Sequence, residues 1–123
     1  MKKFIIALLF ICTAVAGYAQ KKHIPQSTPF ENVLKALTKN KPLLFKNSFS
    51  QRVIDGEEDL TVWAERIEEG NEKFGRRFPD FKRKDFRYGF DSAESKLIVF
   101  YKGEEAFRMK VIQEGKKWKL NEK

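Results

Sequence analysis

The sequence predicts an α+β fold, in which N-terminal helices pack on a curved, cone-like antiparallel β-meander. Apolar residues recur at helical spacing as far as Phe78, and from Phe81 onward they alternate with polar residues. Gly-, Asp- and Ser-containing turn signals divide that second half into short strands. Strands that follow the helices, rather than alternate with them, are typical of helices covering one face of an antiparallel sheet.

The N-terminus has the pattern of a secretory signal peptide. Lysines at residues 2–3 precede an apolar run over residues 4–15, and small residues follow as far as Ala19. The run is too short to span a membrane, so we expect cleavage before Gln20 and a periplasmic or extracellular protein with no transmembrane segment. The only cysteine, Cys12, leaves with this peptide, so disulfides and thiolate metal sites are excluded from the mature chain.

Residues 20–27 show no hydrophobic period and are expected to form a flexible leader, followed by a single α+β domain over residues 28–123. The first helix should begin at Thr28, which serves as its cap, with proline at the first helical position and Glu31 completing a capping box. Asn40 should end it. Its apolar stripe comprises Phe30, Val33, Leu34 and Leu37.

A second, short helix is expected after Pro42, and a long third helix after Gly56, ending near Pro79. Acidic residues crowd the start of the long helix and basic residues crowd its end. Both sets of charges interact favourably with the helix dipole and so stabilise the helix. Favourable i,i+4 ion pairs are predicted within it. These pairs are Glu69–Lys73 and Glu72–Arg76.

Four strands should follow, separated by turns at Asp91-Ser92, Lys102-Gly103 and Glu114-Gly115. The apolar positions of the first, third and fourth strands alternate with basic ones, whereas the second strand is apolar throughout. The apolar positions are Phe86, Tyr88 and Phe90, then residues 97–101, then Phe107, Met109 and Val111, and finally Trp118 and Leu120.

This order of helices and meander resembles the nuclear-transport-factor-2-like (cystatin-like cone) superfamily. The segment Val111-Ile-Gln-Glu-Gly-Lys-Lys-Trp-Lys-Leu120 is similar to the last hairpin of many small secreted members. The resemblance covers most of residues 28–121 and implies a cone whose interior holds a ligand or an active site. It implies no particular reaction.

The residue inventory disfavours most catalytic chemistry. His23 is the only histidine and belongs to the leader, so no transition-metal site, no histidine-assisted nucleophile and no cofactor is expected. The acidic residues 55–59 are interpreted as a helix start rather than a calcium loop. Some enzymes whose fold resembles this one, the ketosteroid isomerases and polyketide cyclases, use carboxylates and tyrosines inside the cone for catalysis. Here Tyr88 faces inward but Asp85 should point away.

Two features of the sheet suggest partners. Five basic side chains should gather on its outer face. Two interpretations of this basic face are open: it binds anionic lipid headgroups or polysaccharide, or it only keeps the protein soluble. An exported protein seldom meets nucleic acid, so that partner is not expected. The second strand, apolar on both faces, suggests a homodimer or an envelope protein packed on the sheet. The basic residues are Arg87, Arg108, Lys110, Lys117 and Lys119.

Gly70 lies on the apolar stripe of the long helix, where glycine costs about 1 kcal/mol relative to alanine. It either lets the helix approach the sheet closely or leaves a hollow between helix and sheet that binds a small apolar ligand. The ligand site predicted on the second interpretation comprises Trp63, Ile67, Gly70, Phe74, Tyr88, Phe90 and Trp118.

The sequence therefore predicts an exported, non-enzymatic domain of the bacterial envelope that binds an apolar ligand or a partner protein. A small enzyme with its active site inside the cone is one alternative, and a structural subunit of an envelope complex is another. Paired buried carboxylates or a buried Asp–Tyr contact would favour the enzyme.

Overall fold

The computed structural model describes residues 19–122, so the predicted signal peptide, apart from Ala19, lies outside the described residues, as does Lys123. The described chain is α+β, as predicted: helices come first, and a four-stranded antiparallel sheet follows. Within residues 19–122, no helix combines the length and the apolar character needed to cross a membrane.

Four α-helices precede the sheet, and each of the two 3₁₀ turns leads into the element after it. The helices are α1 (Thr28–Lys39), α2 (Pro42–Asn47), α3 (Gln51–Ile54) and α4 (Leu60–Arg77), and the 3₁₀ turns are Pro25–Ser27 and Arg83–Asp85. The single turn α3 was not predicted, because four residues are too few to show a hydrophobic period.

Helix α1 ends where predicted but begins one residue earlier, so the predicted cap is wrong by one residue. Ser27, not Thr28, is the N-cap residue. Its buried hydroxyl accepts a hydrogen bond from the Ile24 N–H at 3.0 Å and donates one to the Glu31 carboxylate at 2.7 Å. Asn40 adopts a left-handed conformation (φ 52°) and ends the helix, as predicted.

Helix α4 begins at its N-cap Asp59, whose carboxylate accepts the Thr61 N–H at 2.9 Å, and ends before Pro79 as predicted. Of the two predicted ion pairs, Glu72–Arg76 forms, at 3.4 Å. The Glu69–Lys73 pair does not form, and that prediction is wrong. Lys73 is exposed and borders an apolar surface, along which long lysine side chains commonly pack their methylene groups.

The four strands are joined by turns at the three predicted places, and their order in the sheet is their order in the chain. At the second turn, Lys102 and Gly103 both have positive φ (50° and 89°), as a two-residue hairpin turn requires. The strands are β1 (Phe86–Asp91), β2 (Lys96–Tyr101), β3 (Glu104–Glu114) and β4 (Lys117–Leu120).

The sheet packs against the helices through one face. The pairing of Tyr88 with Val99, and of Val111 with Leu120, aligns the apolar positions of neighbouring strands on that face. These side chains form one core with the stripes of α1 and α4. The most deeply buried members of this core include Leu34, Trp63, Ile67, Phe86, Tyr88, Leu97, Val99 and Leu120.

Strand β3 is paired unevenly along its length. Its first part pairs with β2, whereas β4 pairs only with Val111–Glu114. Over Glu104–Met109, β3 therefore has a strand neighbour on one side alone within the described chain. The side chains of Phe107 and Met109 project from this part of the strand towards the helices.

Short extended segments lie along both outer edges of the sheet. On β1, Lys21 exchanges two backbone hydrogen bonds with Tyr88, of 2.9 and 2.8 Å, so the predicted leader is attached there. On β4, the Ser50 N–H donates to the Leu120 carbonyl at 2.8 Å, and the Leu120 N–H donates to the Ser48 carbonyl at 2.9 Å. Covering edges in this way limits strand-to-strand association between molecules.

Candidate functional site

An open cleft of about 350 Å³ lies between α1, the C-terminal half of α4 and the first part of β3. This volume is near the lower end of the range for small-molecule sites, about 300–1,000 Å³. Its lining is apolar apart from two basic side chains. The lining residues are Phe30, Val33, Leu37, Phe45, Phe49, Gly70, Lys73, Phe74, Arg77, Phe78, Phe107, Met109 and Leu120.

Gly70 lies where α4 packs closely against α1. A methyl group added at Gly70 would lie 3.1 Å from Leu37 Cδ2, tighter than an ordinary carbon–carbon contact. The next residue, Asn71, donates its side-chain amide to the Leu37 carbonyl at 3.0 Å. The glycine therefore permits a close helix–helix approach, to α1 rather than to the sheet, and it also borders the cleft.

One turn further along α4, aromatic rings form a wall of the cleft. Phe74 lies 6.1 Å from Phe30 and 4.8 Å from Phe78, measured between ring centroids. Phe107 on β3 lies 5.6 Å from Phe30. These edge-to-face and tilted contacts hold the rings in fixed positions, so the wall is defined without a ligand.

The two basic residues of the lining, Lys73 and Arg77, are also its only strongly exposed members, so they form the rim. Arg77 donates a guanidinium hydrogen bond to the Ala106 carbonyl on β3. Its guanidinium carbon lies 5.2 Å from the ring centroids of both Phe78 and Phe107. Arg77 thus bridges α4 and β3 where β4 does not reach.

The predicted ligand residues do not all meet at this cleft. Gly70 and Phe74 line it. Trp63, Ile67 and Tyr88 are buried in the core, each 2% exposed or less, and Trp63 donates its indole N–H to the Glu57 carbonyl at 2.9 Å. Phe90 and Trp118 contact one another, 5.6 Å between centroids, away from the cleft.

The predicted basic residues differ in their local partners. Arg87 donates to the Lys84 and Phe86 carbonyls, at 2.7 and 2.9 Å. Lys110 lies opposite Lys96 on the outer face of the sheet. Lys117 and Lys119 border a separate polar groove of about 550 Å³ that also includes His23 and Trp118. Burial, followed by the charge of Lys117, lowers the pKa of Lys119, which donates to the Asn47 carbonyl.

Arg108 is paired with acidic residues on the outer face. It lies opposite Ile98 of β2, yet its guanidinium reaches Asp91 of β1 at 3.2 Å and Glu105 at 3.2 Å. Its side chain therefore crosses β2. Ile98 and Phe100, the outward-facing apolar residues of this strand, are 0% and 6% exposed in a single chain, so they form no exposed apolar strip.

The ionisable side chains in the described lining of the cleft are Lys73 and Arg77. Aspartate, glutamate, histidine and tyrosine are absent from its described lining. Burial, with the Glu31 charge as the second cause, raises the pKa of Tyr88 far above its ordinary value, so this phenol stays protonated. In the part of the chain that the structure describes, no group of three or more metal-ligating side chains is assembled.

Sequence reasoning did not anticipate Lys73, Arg77, Phe107 and Met109 as parts of one site. The helical spacing of Gly70, Phe74 and Arg77 was a usable signal, because residues at i, i+4 and i+7 share a helix face. The unequal lengths of β3 and β4 were not readable from the sequence, and they determine where the cleft opens.

Comparison with known proteins gives no relative for this chain. No protein-family model matches it, and neither the curated proteins nor the solved structures include a match.

Proposed function

We propose that this protein is an exported, non-enzymatic binding protein of the bacterial envelope, and that it holds a small apolar molecule in the cleft beside Gly70. The observation that carries the proposal is a cleft of about 350 Å³ whose walls are aliphatic and aromatic side chains. Export is supported by the signal-peptide pattern of residues 1–19. Membership of the nuclear-transport-factor-2-like superfamily is part of the same proposal, supported by the order of helices and meander.

Two observations favour binding over the alternative of a small enzyme. The described lining of the cleft has no ionisable group other than the cations Lys73 and Arg77, so a proton-transfer pair is absent from it. The buried carboxylate of Asp91 is already paired with Arg108 and lies away from the cleft. An apolar cavity with a few polar groups at its edge is typical of a small-molecule binding site.

Leucine at Gly70 should strongly weaken ligand binding, because its side chain would occupy the cleft. We expect wild-type protein to bind the neutral apolar dye Nile red saturably, and Gly70→Leu to weaken binding at least tenfold. The matched control is Gly75→Leu in the same helix, since a side chain there meets nothing within 4 Å and does not line the cleft. Dye titration followed by fluorescence measures both.

Absence of saturable dye binding to the wild type, or equal losses in the two glycine variants, would contradict the proposal. Because Leu37 must move to admit a side chain at Gly70, each variant is first checked by circular dichroism. If Gly70→Leu does not fold, Met109→Trp fills the cleft from β3 instead. Its control is Ile112→Trp, an exposed position on the opposite face of the same strand.

A further inference from the structure

We infer that the ligand of this cleft is a monomeric amphiphile with a single anionic head, an acyl chain carrying a carboxylate, whose head is bound by Lys73 and Arg77. The inference rests on the proposed function and adds the charge of the ligand. It is carried by the position and the free charge of these two side chains.

Both cations lie at the same part of the rim. They are four residues apart on α4, so their side chains emerge from one face of the helix, one turn apart. Each contributes to the lining while remaining exposed, as expected of a long side chain whose stem covers apolar surface and whose charge stays at the solvent boundary. A ligand whose tail fills the cleft would present its head to both.

Neither charge is neutralised by the protein. Among residues 19–122, Lys73 and Arg77 form no ion pair, whereas their neighbour Arg76 is paired with Glu72 at 3.4 Å. The partners of Arg77 are a carbonyl oxygen and two aromatic faces, which orient the guanidinium without cancelling its charge. The i,i+4 spacing of Glu69 and Lys73 predicted an ion pair, yet that pair does not form.

A carboxylate head fits this rim better than a neutral or cationic one. Charge-assisted hydrogen bonds between a carboxylate and Lys or Arg are stronger than bonds between neutral groups, and the fork of a guanidinium matches a carboxylate in shape. The low volume of the cleft favours one short chain over a multi-chain lipid. A cationic head would meet two like charges at the same place.

The test compares three probes with the same ten-carbon chain and different heads: decanoate, decanol and decyltrimethylammonium. Each is titrated against bound Nile red at neutral pH and low salt. We expect decanoate to bind at least fivefold more tightly than decanol, and decyltrimethylammonium to bind most weakly. Decanoate should also bind on the order of tenfold more tightly than octanoate, since each buried methylene contributes about 0.8 kcal/mol.

Removing the charge of Lys73 should abolish the preference for the anion. In Lys73→Met, decanoate binding should weaken threefold to tenfold while decanol binding stays unchanged. The matched control Arg76→Met removes one positive charge from the same turn of α4, at an exposed side chain outside the lining, and should keep the preference. Arg77→Met should act in the same direction as Lys73→Met, and Lys73→Met remains decisive if Arg77→Met is unstable.

Equal affinities for decanoate and decanol in the wild type would overturn this inference and leave the proposed function intact. Equal effects of Lys73→Met and Arg76→Met would also overturn it, because they would reduce the preference to overall charge. If none of the three probes displaces Nile red, or the dye itself does not bind, it is the proposed function that fails.

Discussion

Tyr88 is a titratable residue that lies deep in the core. The centroid of its ring lies 6.0 Å from that of Phe30, and the residue is 2% exposed. Burial raises the pKa of this phenol, and the nearby Glu31 charge adds to the shift, because both disfavour a phenolate. The folded protein therefore holds the Tyr88 proton more tightly than the unfolded chain does.

This shift predicts a specific loss of stability in alkali. Below the unfolded pKa of 10.0 the stabilisation is fully present, and it is lost as the pH rises further, because only the unfolded chain then releases the proton. One such group costs about 1.4 kcal/mol per pH unit. In urea denaturation from about pH 8 to about pH 11, which brackets the unfolded pKa, Tyr88→Phe should show a shallower decline in the free energy of unfolding than wild type.

Tyr101→Phe is the control for that experiment, because Tyr101 lies on the neighbouring strand and is only half-buried. It should retain the wild-type decline. Identical slopes for wild type and Tyr88→Phe would show that the phenol does not contribute to the alkaline loss.

At the scale of elements, the β1–β2 hairpin depends on Asp91. One carboxylate oxygen accepts the N–H groups of Ala93 and Glu94, at 3.1 and 3.3 Å, and the other accepts from Arg108 of β3. We expect Asp91→Ala to lower the free energy of unfolding by about 2–3 kcal/mol, and Asp91→Asn, which keeps the turn acceptor, by about 1 kcal/mol. Urea denaturation measures both.

The control is Glu105→Ala, which removes the second carboxylate partner of Arg108. Glu105 is exposed, so its loss should cost less than about 1 kcal/mol. If Asp91→Ala were no more destabilising than Glu105→Ala, the buried carboxylate would contribute nothing beyond an ordinary surface pair.

Local patterns predicted the elements well and their mutual arrangement less well. Helix α4 carries its start, stripe and stop in its own residues, so its bounds were predictable, as were the turns at Lys102-Gly103 and Glu114-Gly115. The direction in which the Lys73 side chain extends from α4 depends on what packs nearby, and spacing alone does not determine it. Its ion pair with Glu69 was therefore predicted wrongly.

The candidate cleft was predicted in its general place, between the long helix and the sheet, with Gly70 and Phe74 in its lining. The opposite wall was not predictable from periodicity. Alternation assigns Phe90, Phe107 and Trp118 to the same face of the sheet, and only strand pairing separates them along it. Phe107 reaches the cleft because β4 is too short to lie beside it.

At the scale of the whole molecule, the segment over residues 20–27 contributes to the sheet. Proline at Lys21 removes the N–H that donates to the Tyr88 carbonyl, and we expect Lys21→Pro to cost about 1 kcal/mol of unfolding free energy. Hydrogen exchange at the Tyr88 amide, which donates to the Lys21 carbonyl, should accelerate. The control Lys22→Pro removes an N–H that is not paired with β1, and it should leave that exchange rate close to wild type.

If Lys21→Pro leaves both stability and Tyr88 exchange unchanged, the segment is attached too weakly to matter in solution, and the sequence-based expectation of a flexible leader describes it better.

The attachment of Leu120 to both β3 and the Ser48–Ser50 segment has a consequence for how the chain acquires its fold during synthesis. Helices α1 to α4 are complete in sequence by Arg77, but the apolar faces that they bury are covered by strands made later. Leu120, 1% exposed, connects β4 to the Ser48–Ser50 segment, which leaves the ribosome about seventy residues earlier. A nascent chain that stops short of β4 therefore exposes aromatic surface to its neighbours, and the addition of β4, rather than the formation of any helix, is the step that closes the core.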